Sequence, residues 1–192
     1  MNNLTEKEKL LVIVDMINGF IKEGSMKDEE IAKIIPNIES IAETFIHEED
    51  PIICIKDSHD EKSSEFKKFP VHCLKGTSES EIVDELKRFS QPELTFEKNS
   101  TSARENESLM KTIERMRALK EIVITGCCTD ICVLNFALGL ANFLDEKNIE
   151  MKIIVPTNSV ETYGAPNHNR EEYNELSFKL MKQAGINVVE RY

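Results

Sequence analysis

The sequence predicts an α/β protein, a three-layer α/β/α sandwich around a six-stranded, mainly parallel, doubly wound sheet. Short apolar runs alternate along the chain with longer segments whose apolar residues recur at helical spacing. Six strand-like runs are each separated from the next by a helical segment, as parallel strands require. No repeat, linker or low-complexity stretch interrupts the 192 residues, so we expect one domain spanning residues 1–192.

The six predicted strands are short and bounded by polar or turn-forming residues. Isoleucine and valine dominate most of them, and these β-branched residues favour extended backbone. Proline or glycine marks several of their ends. In chain order the strands are residues 10–14, 52–56, 94–97, 122–124, 149–155 and 186–189.

The predicted helices carry apolar residues three and four positions apart. Pro36 falls inside the first helical pattern, where we expect a kink or a restart. Ser78 or Ser80 is expected to cap the second helix, and His168 to lie in the cap of the last one. The helices are residues 28–48, 78 or 80 to 88, 105–119, 130–144 and 169–184.

Composition excludes several classes of function. The formal charge of −11 leaves no basic surplus to neutralise phosphates, so neither nucleic acid nor a membrane surface is an expected partner. Five cysteines, an odd number, fit a reducing compartment better than a disulfide framework. The first residues lack a signal-peptide pattern, and the apolar runs are too short for a transmembrane helix. We expect a cytoplasmic protein.

Four chemically active residues follow predicted strands. They are Asp15, Asp57, Lys98 and, after a short turn, Cys132. Because the carboxyl ends of parallel strands share one edge of a sheet, we expect these side chains to lie close together. An aspartate after a strand is commonly a turn residue or helix cap, and the Asp15 and Lys98 pair alone could be a structural ion pair.

Cys132 is the candidate nucleophile. Gly126 breaks a strand, and Thr129 and Asp130 begin a helix with Cys132 in its first turn. The helix dipole predicts a lowered thiol pKa at that position, although a free cysteine is as readily a small buried apolar residue. With Asp15 as base and Lys98 as cation, the set fits amide hydrolysis through a thioester. The backbone N–H groups of Cys128 and Cys132 could receive the oxyanion.

A second cluster has the chemistry of a metal site. Asp57 and His59 are two apart and point to the same side of an extended chain, and His72 follows a short loop later. Carboxylate and imidazole ligands suit zinc, iron or manganese. The pattern is weak alone, but two of the four histidines lie in this one loop.

Four segments together resemble the isochorismatase-like cysteine hydrolases, and within that family the chain is similar to nicotinamidases. The segments are VIVDMINGF, KDSHD with FPVHC, FEKNSTSA and ITGCCTDICVLNFA. The last is the most specific, because the family signature Thr-Asp-x-Cys stands here at residues 129–132.

The resemblance implies a role for each site residue. Cys132 is the nucleophile, with Asp15 as proton carrier and Lys98 as third member of the triad. The metal ligands are Asp57, His59, His72 and Glu65, with Asp60 or Glu61 as alternatives to Glu65. A cis peptide bond is expected between Cys127 and Cys128. Aromatic residues at Phe20 and Phe69 surround the substrate ring, whereas Thr101 and Arg104 stand where aromatic residues are usual and so alter the substrate wall. Apart from the resemblance, residues 163–168 could also border this pocket.

The implied activity is metal-dependent hydrolysis of nicotinamide to nicotinate and ammonia, in NAD salvage. We expect one divalent ion, zinc before iron or manganese, a small amide as substrate and a homo-oligomer. One alternative is a family member that acts on another small amide or a vinyl ether. Another is a non-catalytic binding protein on the same fold, against which the intact set of Asp15, Lys98 and Cys132 argues.

Overall fold

A parallel sheet of seven strands lies at the centre of the protein. The structure is a computed structural model that describes residues 4–192. The strands are Lys9–Val14 (β1), Ile52–Asp57 (β2), Thr95–Lys98 (β3), Glu121–Cys127 (β4), Lys152–Pro156 (β5), Val160–Glu161 (β6) and Asn187–Val189 (β7).

The strand order places the chain's topological switch between β1 and β4. The main order is β3-β2-β1-β4-β5-β7, and every pair is parallel. Strands β2 and β3 are therefore added on one side of β1, and β4 begins the other side. Where the direction of strand addition reverses in this way, a crevice forms at the carboxyl edge of the sheet. The predicted α/β fold and its six strands are confirmed. The short β6, which pairs with β4, was not predicted because two residues leave no periodic signal.

Within the described residues, six α-helices accompany the sheet. They are Asn18–Ile21 (α1), Ile35–His47 (α2), Asp84–Lys87 (α3), Glu107–Arg115 (α4), Leu134–Lys147 (α5) and Arg170–Gln183 (α6). The first predicted helix restarts near Pro36 as expected, since a 3-10 helix over Glu29–Ile34 gives way to α2 there.

The predicted helix from Ser78 or Ser80 to Arg88 is confirmed only for its last turn, α3. Ser78–Ser80 is a single 3-10 turn, and the chain is then extended before α3. The N–H of Val83 donates to Met16 O at 3.1 Å, so this β-branched segment pairs with the chain after β1 instead of continuing a helix.

Two other predicted boundaries shift. The fifth strand begins at Lys152 rather than Ile149, because the N–H of Ile149 donates to Leu144 O at 2.9 Å and closes the end of α5. The predicted helix 105–119 is shorter at both ends. The Asn106 side chain caps α4 before Glu107, and the backbone leaves the helical region at Met116, where ψ is 70°.

Apolar side chains cover both faces of the sheet, which makes the three layers. Leu10, Val12 and Val14 point to the core shared with α4, α5 and α6. Leu11 and Ile13 point to the core shared with α2. Burial on both faces explains why β1 is apolar without interruption rather than alternating. Within residues 4–192, no helix is both long and apolar enough to cross a membrane.

Gly126 allows β4 to lie against the end of β1. Its φ is +109°, and a Cβ atom there would lie 2.0 Å from Val14 O. Only glycine tolerates both conditions. This close approach brings the turn that carries Cys132 next to the residue that follows β1, Asp15.

Candidate active site

The structure brings the four residues predicted at strand ends together at one edge of the sheet. Asp57 and Lys98 are the last residues of β2 and β3, and Asp15 directly follows β1. Asp15 has a φ of 52°, a left-handed conformation that aspartate tolerates better than most residues. Cys132 lies in the turn between β4 and α5. All four side chains are buried.

Lys98 is the centre of this cluster. Its Nζ lies 2.7 Å from Asp15 Oδ2 and 3.4 Å from Cys132 Sγ, and it also donates to Asp57 Oδ1. Cys132 Sγ and one oxygen from each carboxylate lie within 4.8 Å of one another. The ammonium thus contacts both the predicted triad and a predicted metal ligand, which agrees with the expected proximity of the residues that follow the strands.

Burial and nearby charges together determine which of these groups carry a proton. Burial raises the pKa of Asp15 to about 7, although the nearby Lys98 ammonium opposes this. Burial alone would lower the pKa of Lys98, but the carboxylates of Asp15 and Asp57 outweigh it and hold that pKa well above its ordinary value. Lys98 therefore stays charged, and Asp15 can exchange a proton near neutral pH.

The predicted lowering of the Cys132 pKa is wrong. Burial raises the pKa of the thiol well above its ordinary value, and the opposing effect of Lys98 does not compensate. The thiol is only 5% exposed, so loss of hydration outweighs the helix-start effect expected from sequence. The resting thiol holds its proton and needs a base to release it.

The turn around Cys132 differs from a regular helix start. Residues Thr129–Val133 form one π-helical turn before α5, and the N–H groups of Ile131 and Val133 both donate to Cys128 O at 3.1 Å. The peptide bond between Cys127 and Cys128 is cis, as the resemblance implies. Cys128 and Cys132 both line the cavity, so their backbone N–H groups are the candidates for an oxyanion site.

The predicted metal ligands meet beside this cluster. Asp57, His59 and His72 each present a ligand atom within 4.8 Å of the others. Glu65 is buried, and its Oε2 lies 3.7 Å from His59 Nε2. Asp60 and Glu61 are exposed, so the geometry favours Glu65 as the fourth ligand.

The two histidines are oriented as metal ligands. His72 Nδ1 lies 2.7 Å from Pro70 O, and His59 Nδ1 lies 3.0 Å from Asn99 Oδ1. These contacts leave Nε2 of each ring for other partners. His59 Nε2 is buried and has no hydrogen-bond partner within residues 4–192. A buried nitrogen facing two carboxylates fits a divalent cation.

A cavity of about 330 Å³ joins the two clusters, with Cys132, Asp57, Glu65 and His72 in its lining. This volume lies at the lower end of the range for small-molecule sites. The predicted substrate residues line it too; they are Phe20, Phe69 and Thr101. Arg104 is not in the lining, because its side chain packs against Gly139 and lies 5.1 Å from the Phe143 ring centre. The predicted effect of Arg104 on the substrate wall is therefore wrong.

Sequence reasoning missed part of the lining. Met26, Asp28 and Ile131 line the cavity without any distinguishing pattern in the sequence. The expectation that residues 163–168 could border the pocket is confirmed for Tyr163 and Gly164, which follow the carboxyl end of β6.

His168 is not a helix-cap residue, contrary to the prediction. Asn169 caps α6, whereas His168 is buried and stacks between the rings of Tyr163 and Tyr173. Its Nε2 lies 2.9 Å from Asp130 Oδ2 and its Nδ1 lies 3.0 Å from Tyr163 O. His168 therefore ties the cavity wall at Tyr163 to the turn that holds Cys132.

Comparisons with known proteins agree with this geometry. Nicotinamidase 1 of Arabidopsis thaliana is 27% identical over 209 residues, which cover 94% of this chain and 85% of that protein. The structure of pyrazinamidase of Pyrococcus horikoshii in complex with zinc has a TM-score of 0.74 and 26% identity, covering 95% of this chain and 99% of that one. The structure of N-carbamoylsarcosine amidase from Thermoplasma acidophilum has a TM-score of 0.73 and 26% identity, with 95% of each chain covered.

A family model described as the isochorismatase domain matches residues 9–191, nearly the whole chain. The matched range contains every strand and every residue of the two clusters described above. The protein is therefore a hydrolase that belongs to the isochorismatase family.

Proposed function

We propose that the protein hydrolyses nicotinamide to nicotinate and ammonia, with one divalent metal ion bound beside the nucleophile. The observation that carries this proposal is one cavity whose lining contains Cys132 together with Asp57 and His72. A family hydrolase that attacks an amide without help from a metal has no use for the second cluster. The similarity to a nicotinamidase and to a zinc-bound pyrazinamidase supports the same activity.

Proton transfer begins with Asp15. Its pKa of about 7 lets the carboxylate accept the proton of the Cys132 thiol at neutral pH. The Lys98 ammonium, 3.4 Å from Sγ, stabilises the thiolate as it forms. Sγ then bonds to the amide carbon, and the carbonyl electron pair moves to oxygen, where the N–H groups of Cys128 and Cys132 receive the charge.

The remaining steps return the proton. Asp15 gives its proton to the departing nitrogen, the C–N bond breaks, and ammonia leaves a thioester on Cys132. A water molecule then gives a proton to Asp15 and attacks the thioester carbon. The C–S bond breaks, nicotinic acid leaves, and Cys132 regains its proton from Asp15.

The residues that would hold the ion are Asp57, His59, Glu65 and His72. When bound, the ion supplies an electron-pair acceptor for the pyridine nitrogen and orients the ring. Zinc, iron and manganese all suit this donor set, and zinc is our first choice. Phe20 and Phe69 have ring centres 5.8 and 6.3 Å from that of His72, so both could contact an aromatic substrate beside the site.

Thr101 favours a second candidate, an amidase for a more polar amide. Its Oγ1 accepts a hydrogen bond from Asn135 Nδ2 at 3.2 Å, which makes this part of the lining polar. The similarity to N-carbamoylsarcosine amidase fits such a substrate.

The test is ammonia release by the reduced, metal-loaded protein from four amides. We expect hydrolysis of nicotinamide and pyrazinamide, and much slower hydrolysis of benzamide, which has no ring nitrogen for the ion. Hydrolysis of N-carbamoylsarcosine without hydrolysis of nicotinamide would favour the second candidate. No ammonia from any of the four would reject the proposal.

A further inference from the structure

We propose that Asn99 is a positioning residue that fixes the tautomer of His59 and thereby sets the affinity of the metal site. The inference rests on the metal site of the proposed function and concerns a residue outside the ligand set. Asn99 directly follows Lys98 at the end of β3, so one strand end would serve both clusters.

The orientation of the Asn99 side chain follows from its two contacts. Asn99 Oδ1 accepts from the backbone N–H of Asp60 at 3.3 Å and lies 3.0 Å from His59 Nδ1. A backbone N–H can only donate, so the atom facing it is the amide oxygen and not the amide nitrogen. The same oxygen faces His59, and Nδ1 must therefore carry a proton.

This choice of tautomer leaves a lone pair on Nε2. In the neutral ring the proton on Nδ1 makes Nε2 an acceptor. Nε2 lies 3.5 Å from Asp57 Oδ2 and 3.7 Å from Glu65 Oε2, which are also electron-pair donors. Asp57, His59 and His72 each present a ligand atom within 4.8 Å of the others, so a cation between them would contact all three.

Without Asn99 the opposite tautomer gains the advantage. A proton on Nε2 would find two carboxylate acceptors, at Asp57 and Glu65, whereas Nδ1 would keep only Ser63 Oγ at 3.4 Å. A ring protonated at Nε2 cannot ligate the ion through that atom. His72 is protected from this exchange, since its Nδ1 faces the backbone oxygen of Pro70, which no side-chain substitution removes.

The test compares Asn99→Leu, Asn99→Asp and the neighbouring control Ser100→Ala in zinc affinity, measured by competition with a chelator. Asn99 is exposed, so we expect all three variants to fold. Loss of such an outer hydrogen bond typically weakens metal binding about 10–100-fold, which is our expectation for Asn99→Leu. Asn99→Asp retains an acceptor and should bind zinc at least as tightly as wild type. Ser100→Ala should match wild type, because the Ser100 hydroxyl contacts Ser102 and not His59.

A second measurement reads the tautomer directly in the metal-free protein. Nitrogen NMR shifts of neutral His59 should report a proton on Nδ1 in wild type and on Nε2 in Asn99→Leu. The role of Asn99 would be overturned by equal zinc affinity of Asn99→Leu and wild type, or by equal weakening in Asn99→Leu and Asn99→Asp. It would also be overturned if wild type and Asn99→Leu showed the same tautomer, or if the wild-type protein bound no zinc. Neither measurement uses an amide, so a failure to hydrolyse nicotinamide would reject the proposed function separately.

Discussion

Lys98→Met removes the ammonium that contacts the buried carboxylates of both Asp15 and Asp57. The side chain of Lys98 is 2% exposed, and those of Asp15 and Asp57 are 0% and 3% exposed. Methionine keeps the linear apolar stem, so the substitution chiefly deletes the charge. Asp15 and Asp57 then remain buried without their shared counter-ion.

Removing one partner of a buried ion pair costs about 3–5 kcal/mol, and we expect a loss of that size in the free energy of unfolding. That is a large part of the roughly 5–15 kcal/mol available to a folded protein. The matched control is Lys120→Met. Lys120 pairs with Glu8 at the surface, where the side chains are 69% and 59% exposed. An exposed pair contributes at most about 1 kcal/mol.

The assay is urea unfolding followed by circular dichroism, with chelator present so that bound metal does not add stability. In wild type, Lys98 acts to lower the pKa values of both Asp15 and Asp57. The folded variant therefore binds more protons than folded wild type, and its loss of stability should grow as the pH rises and shrink as it falls. A loss no larger than that of Lys120→Met, or a loss that grows on acidification, would refute this reasoning.

Three further predictions follow from individual contacts. Gly126→Ala should lower the free energy of unfolding by more than about 2 kcal/mol. Gly76→Ala should lower this free energy by less. The φ of Gly76 is also positive, but nothing lies within 4 Å of the new Cβ. Asp15→Asn should reduce kcat about 10²–10⁴-fold and leave the metal content, measured by elemental analysis, unchanged. His168→Phe keeps the stacked ring but loses the bond to Asp130, and should cost about 1–3 kcal/mol in urea unfolding.

The sequence predicts those features that depend on local pattern and strand direction. Short apolar runs alternating with helical segments are enough to predict a parallel sheet. The rule that parallel strands end at one edge is enough to bring Asp15, Asp57 and Lys98 together. Helix restarts at proline are local as well, and the restart near Pro36 was predicted for that reason.

The features that the sequence did not predict depend on contacts between distant segments. Val83 bonds to Met16, which turns a helical pattern into extended chain. The pKa of Cys132 depends on how much water the folded protein excludes, and the helix-start argument contains no such information. His168 stacks between two tyrosines and reaches Asp130, a contact that no spacing in the sequence encodes.

In the proposed reaction, Cys132 takes the acyl group of a pyridine carboxamide. The most direct measurement is trapping with hydroxylamine, which attacks a thioester far more readily than an amide. The reduced, metal-loaded protein should convert nicotinamide to nicotinohydroxamate as well as nicotinate, and Cys132→Ala should yield neither while binding the same amount of metal. Ammonia release by Cys132→Ala at the wild-type rate, or wild-type turnover that never yields hydroxamate, would contradict the account.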